Sequence, residues 1–442
     1  MRLSKLVYDL LSTALSRFLI LVFGIIKAVI VSRTLGPEGN GIVAALLVYP
    51  SLFLTFGSLG IRRSSAFLLG SEKDSESNII KSILHLWFFS SILSVGVCFL
   101  LLRYFSNSGD SLLLVFWALI PIPFSLFNGY ISGIYIGRKK IREFNAVNWL
   151  QSSFILLSTI LFLIGLKYSI KGALMGEALG TIFMFVLLNI KENYFRSFNF
   201  RIEKKELQRL FSLGLVYSFA LLVITLNYRI DTILLDKLSN SYQVGIYTRG
   251  ASLIQYLWQI PMLMDNIVFT RGMAGNFDAA FSRRICVLMR LSVLWISVAC
   301  IFIFFWGSEI VELLYGKEFY ESSIIMIYLI PGVIILTVYR VLNMDAASKG
   351  NPWLAIQAMT PALIFNIGLN LYFIPAYGAI GAAISSSISY VGATVLYVVL
   401  YSKKAKMSYS EIFRFSINDF AFLKSSLRSK KSQDSNINPD EP

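Results

Sequence analysis

From Ile42 to Ile61 the chain carries no charged residue. A run of that length matches the roughly 20 helical residues needed to cross the hydrocarbon core of a bilayer. Just before it, Gly36-Pro37 is a poor helix continuation and marks a reversal. Pro37 suits the first turn of the helix that follows. Gly39 and Gly41 allow backbone to approach backbone. Arg62 and Arg63 close the segment. The stretch from Arg33 to Arg63 therefore predicts a transmembrane hairpin with a minimal turn.

The same pattern recurs along the chain. Twelve apolar segments lie near residues 7–31, 42–61, 80–102, 112–136, 146–166, 170–190, 208–228, 243–269, 285–306, 322–344, 353–374 and 379–401. Pro50, Pro121, Pro123, Pro261, Pro331 and Pro361 interrupt several of them, and neighbouring helices tolerate such kinks in membranes. Composition agrees: 56% of the 442 residues are hydrophobic and 15% charged, against about 25% charged in soluble domains. A helical multi-pass protein is expected, not a β-barrel with its strands of about ten alternating residues.

The net charge of +15 is explained by topology without nucleic acid. With the N-terminus inside, most of the 40 Lys and Arg fall on the termini and even-numbered loops. The outer loops then hold Arg33, Arg103, Lys167, Lys171, Arg229, Lys237 and Lys317. The positive-inside rule thus predicts twelve helices with both ends cytoplasmic. Cys98, Cys286 and Cys300 sit in or beside apolar runs without metal spacing, and His85 is the one histidine. No metal centre, cleavable signal or phosphate-binding Gly-x-x-x-x-Gly-Lys loop is evident, so no catalytic residue and no enzyme activity is expected.

Two internal echoes suggest a repeat. Tyr168 to Gly176 reads against Tyr377 to Ser385, and Gly41-Ile42 reads against Gly245-Ile246, each pair at nearly the same spacing. The expected architecture is all-α, with about 12 transmembrane helices in two pseudo-symmetric six-helix lobes. The lobes would cover residues 1–200 and 201–402, leaving 403–442 as a cytoplasmic, disordered tail.

Four stretches carry a family resemblance: Ser32-Arg-Thr-Leu-Gly-Pro-Glu-Gly-Asn-Gly41; Ile230-Asp-Thr-Ile-Leu-Leu-Asp236 with Val244-Gly-Ile-Tyr247; Leu314-Tyr-Gly-Lys-Glu-Phe319; and Asn366 to Ala383. Together they resemble the polysaccharide flippases, O-antigen (Wzx-type) transporters of the MATE/lipid-flippase (MOP) superfamily. The resemblance implies a two-lobed fold in the bacterial cytoplasmic membrane. It implies alternating-access flipping of undecaprenyl-pyrophosphate-linked oligosaccharide for O-antigen, capsule or exopolysaccharide assembly. A polysaccharide polymerase and a chain-length regulator are the partners it implies. The lipid II flippase branch usually has fourteen helices, which argues against that branch. Two other readings stay open: a drug antiporter of the MATE type and a membrane polysaccharide polymerase, although the outer loops are short for the latter.

Charges inside a bilayer are costly, so intramembrane ionisable residues are site candidates. Arg17 and Lys27 on the first helix are about 80° apart in azimuth and about 15 Å apart along the axis. With Arg249 and Arg290 they form the candidate cationic cavity for a lipid pyrophosphate, which arginine binds bidentately. The competing reading is that each snorkels to a headgroup. Glu177, Asp265, Asp231 and Asp345 are the candidates for coupling to a proton or sodium ion. For Arg229/Asp231 and Arg340/Asp345 the favoured reading is a local ion pair or an interfacial anchor. Asn227, Asn366 and Asn370 either bind sugars or hold helices together. Trp149, Trp258 and Trp353 are packing or interfacial anchors, or stack on sugar rings.

Overall fold

The computed structural model describes residues 2–70, 76–138, 140–197, 204–262, 279–415 and 419. Among these, regular structure is helical throughout. Among the described residues, nine helices are long and apolar enough to cross a membrane. Two of them are double length: α1 (Arg2–Gly57), whose apolar part runs for 46 residues from Ser12, and α13 (Trp353–Ala405), with 53. Straight, these would measure about 69 and about 80 Å, more than twice the bilayer core. Neither is straight. Gly36 (φ 64°, ψ −175°) breaks α1 and Gly378 (φ 55°, ψ −129°) breaks α13, so each is two passes joined by a glycine in a conformation closed to most side chains. The reversal expected at Gly36-Pro37 is therefore present.

Between them lie α2 (Ile61–Gly70), α3 (Glu76–Phe105), α4 (Leu112–Leu119), α5 (Pro121–Gly137), α6 (Ile141–Ile160), α7 (Ser169–Glu192), α8 (Lys204–Leu238), α9 (Ser241–Gln255), α10 (Gln259–Met262), α11 (Ala279–Tyr315) and α12 (Glu321–Ser348). A short α14 (Tyr409–Phe413) follows α13. The segment expected at 243–269 runs past Met262 into residues outside the described ones.

The large apolar side chains left outside are those a bilayer accommodates. On α11, Ile301, Phe302, Phe304, Phe305 and Trp306 are half-exposed or more; in water such a band would be an aggregation site. Buried apolar residues form two large clusters. One draws on residues 46–210, the other on residues 223–412 plus Ala28 and Ala45.

Two expectations need correction. The seventh segment does not end at residue 228: α8 continues to Leu238. Arg229, Asp231 and Lys237 are therefore helical residues within the span, not loop residues. The tail is ordered beyond residue 403: α13 runs to Ala405, and Ser408 and Glu411 form a reciprocal capping box that starts α14. Residues 420–442 lie outside the described ones.

The sequence echoes have structural counterparts. Gly41 and Gly245 face each other: a Cβ on Gly41 would stand 3.0 Å from the Gly245 amide nitrogen and overlap the Ser241 carbonyl. Gly172 and Gly381 each pack on the backbone of the preceding pass, at Phe162/Leu163 and Phe373/Ile374. Both hairpins are thus tightened by the same device.

Candidate functional site

The turn end of the molecule is sealed where α1 meets α9. Past the Gly41–Gly245 contact, Asn40 donates to the carbonyls of Val31 (3.3 Å) and Gly36 (2.7 Å), which caps the break in α1. Its Oδ1 accepts from Arg249, whose guanidinium also lies over the Tyr315 ring at 5.6 Å. Arg33 donates to the carbonyls of Leu313 and Leu314 at the end of α11. Ser106 and Ser108, beyond α3, donate to the buried Asp236 carboxylate of α8 at 2.6 and 3.0 Å. Arg249 thus belongs to this seal, held by the Asn40 amide and an aromatic face.

Lys27 of α1 pairs with Glu177 of α7. Their side chains are 23% and 28% exposed, so the pair is partly buried within the span. One expected cation and one expected coupling carboxylate therefore neutralise each other.

Arg290 sits elsewhere. Its guanidinium, near the start of α11, makes a bidentate bridge to Asp419 at 2.7 and 2.9 Å and donates to the carbonyls of Glu411 and Ile412. Both side chains are buried, at 7% and 6% exposed. Its role is to clamp the segment after α13 onto the base of α11.

The two local ion pairs weighed in the sequence are absent among the described residues. Asp345 accepts from Ser282 (2.9 Å), Lys349 (3.0 Å) and Tyr401 (2.6 Å), not from Arg340. Arg340 instead stacks on Trp258 at 4.3 Å and Tyr228 at 5.2 Å, and an Nη lies 2.9 Å from the Met262 sulfur. From the other half of the chain, Arg17 donates to the Met262 carbonyl at 2.9 Å. Two arginines therefore converge on one residue, and among the described residues no carboxylate pairs with either. Arg340 was missed as a site residue because Asp345 follows it by five positions in sequence. A guanidinium resting on Trp258 and Tyr228 keeps most of its N–H donors for a ligand.

Asp231 has no exposed surface and receives four hydrogen bonds. Ser386 (2.5 Å) and Tyr247 (2.9 Å) bond one oxygen; Asn366 (3.2 Å) and Asn370 (2.8 Å) bond the other. Arg229, two residues away, retains exposed surface and forms no ion pair with Asp231 among the described residues. Four helical passes thus meet at one carboxylate. A buried carboxylate ringed by neutral oxygen-bearing groups is a site that a cation or proton can occupy. Asn227 lies apart, donating to the Met359 carbonyl at 2.9 Å, as a residue that holds helices together does. Asp265 lies outside the described residues. Trp258 is 2% exposed and Trp353 57%.

Comparison with known proteins follows the same lines. The capsular polysaccharide biosynthesis protein CapF of Staphylococcus aureus is 24% identical over 407 residues, which cover 88% of this chain and 96% of CapF. The probable low-salt glycan biosynthesis flippase Agl15 of Haloferax volcanii is 28% identical over 123 residues, 27% of this chain and 26% of that protein. Among solved structures, an inward-facing multidrug resistance MATE family transporter of the MOP superfamily superposes with a TM-score of 0.70 at 14% identity, covering 90% of this chain and 98% of the transporter. The lipid II flippase MurJ in its inward closed conformation superposes with a TM-score of 0.67 at 18% identity, covering 96% and 93%. These likenesses establish a MATE-like helical membrane fold. Residues 6–264, more than half of the chain, match the family described as polysaccharide biosynthesis protein, and the chain belongs to that family.

Proposed function

We propose that this protein flips a polyprenyl-pyrophosphate-linked oligosaccharide across a bacterial cytoplasmic membrane by alternating access, for capsule, O-antigen or exopolysaccharide assembly. The observation that carries this is the convergence of Arg17 and Arg340 on Met262 from opposite halves of the chain. A pyrophosphate bridging them would draw the halves together, so binding and conformational change share one contact. The charge bias supports cytoplasmic ends for the chain, with the Gly41–Gly245 seal on the outer side. The protein releases its cargo there to a polymerase and chain-length regulator and performs no covalent chemistry itself. The Asp231 cluster is the site for a coupling proton or sodium ion. The family and the flippase named among its relatives support the reading. The antiporter alternative requires free acids for a cationic drug, and Glu177 and Asp345 are occupied by Lys27 and Lys349.

The test is reconstitution into vesicles with lipid-linked oligosaccharide taken from cells lacking the gene. Hydrogen bonds to charged groups contribute about 1.5–3 kcal/mol each, so Arg17→Ala and Arg340→Ala should each slow flipping about tenfold or more. Asp231→Asn should abolish the response to an imposed proton or sodium gradient. Undiminished flipping in both arginine variants would overturn the assignment.

A further inference from the structure

A cavity of about 250 Å³ opens between α2, α5, α6 and α7, and neither Arg17 nor Arg340 lines it. Its lining is unusual for a membrane interior. Asn128, Asn148, Gln151 and Ser125 supply neutral donors and acceptors, and Phe144 and Met184 supply apolar surface. Arg62, which is exposed, is the one charged residue in the lining. Asn128 is 6% exposed and donates to the Thr181 carbonyl at 3.4 Å, but its Oδ1 is buried with no partner. Among the described residues the side-chain amides of Asn148 and Gln151 have no hydrogen-bond partner either. A buried amide oxygen left unpaired costs about 1–3 kcal/mol, and native structures rarely tolerate that without a ligand or water.

We infer that this cavity is a saccharide subsite, holding one neutral sugar residue of the lipid-linked cargo. The inference rests on the flippase reading above and adds where the glycan sits. Side-chain amides both donate and accept, which matches a hydroxyl, itself donor and acceptor. The apolar faces of Phe144 and Met184 match the C–H face of a pyranose ring. The volume is below the roughly 300–1,000 Å³ of sites for drug-sized molecules, which limits the occupant to about one sugar. The lining carries no carboxylate, so no drug cation is favoured. With pyrophosphate on Arg17, a sugar near α6 is within reach of the same molecule, because α1 and α6 are joined through Ser16 to the Asn145 carbonyl and Asn145 to Thr13.

The decisive measurement is binding to the purified full chain in detergent, with two probes. One is the lipid-linked oligosaccharide pool extracted from cells lacking the gene; the other is undecaprenyl pyrophosphate without sugar. The wild type should bind the pool about tenfold more tightly than the bare lipid. The double variant Asn148→Leu with Gln151→Leu should bind both probes equally, at the wild-type affinity for bare lipid, which also shows that it is folded. A double variant that keeps the preference for the pool, or a wild type with none, overturns the subsite while leaving the flippase reading intact. A wild type that binds neither probe overturns the flippase reading itself.

Discussion

Substituting Gly41 by alanine tests whether the turn-end seal is one of two alternating states. In the structure a Cβ at Gly41 would lie 3.0 Å from the Gly245 nitrogen and inside the radius of the Ser241 carbonyl, whereas ordinary contact begins at 3.4 Å. These are backbone atoms of two packed helices and cannot rotate away. Over-packing of this kind costs about 1–3 kcal/mol. The cost falls only on the closed seal, because parted helices have room for a methyl group. The ratio of closed to open should therefore fall by about 5- to 150-fold. Gly245→Ala attacks the same contact from the other side, where a Cβ would meet the Gly41 nitrogen at 3.2 Å, and the pair should be non-additive. Gly96→Ala on α3, with nothing within 4 Å, is the control. Spin labels at Glu38 and Gln243 report the separation by pulsed electron resonance. An unchanged distance distribution in Gly41→Ala, together with wild-type flipping, would refute the idea that this glycine contact is the seal.

Three further outcomes are expected. Neutralising Lys27 or Glu177 alone leaves a charge unpaired within the span, about 2.5–3.5 kcal/mol on insertion scales; thermal unfolding in detergent should show both singles destabilised and Lys27→Met with Glu177→Leu restored, and equal stability of all three would contradict the pairing. Arg290→Ala strands the buried Asp419 carboxylate, at a cost of about 3–5 kcal/mol, and should release the segment after α13 to trypsin at Lys406 and Arg414; resistance equal to wild type would deny the clamp. The Glu411 carboxyl lies outside the membrane and is held below its ordinary value of 4.5 by the Ser408 backbone amide and hydroxyl. Its contribution is present above that value and is lost as pH falls through the lowered one, so α14 should become protease-sensitive on acidification, and Glu411→Gln should remove that pH dependence.

Long apolar runs and charge bias made the membrane fold legible, because helix formation within a bilayer is dictated locally by backbone satisfaction. The glycine reversal at Gly36 was legible for the same reason. Partner choice among charges was not. Sequence distance paired Arg340 with Asp345 and Arg229 with Asp231, yet each of these arginines turns away from the acid. On α12 and α8 the spacings of five and two residues put the partners on different faces, since helix neighbours lie three or four positions apart. Asp345 finds Lys349 at that four-residue spacing, a pairing the sequence did contain. Asp231 finds Asn366 and Asn370, also four apart, across a tertiary contact that no local pattern encodes. The same rule explains what was freed: an arginine with no acid on its own face must find an aromatic surface or a ligand. Arg340 finds Trp258 and Tyr228, and converges with Arg17 on Met262. The candidate site of this protein is thus set by which charges the helical faces leave unpaired, more than by which charges the sequence contains.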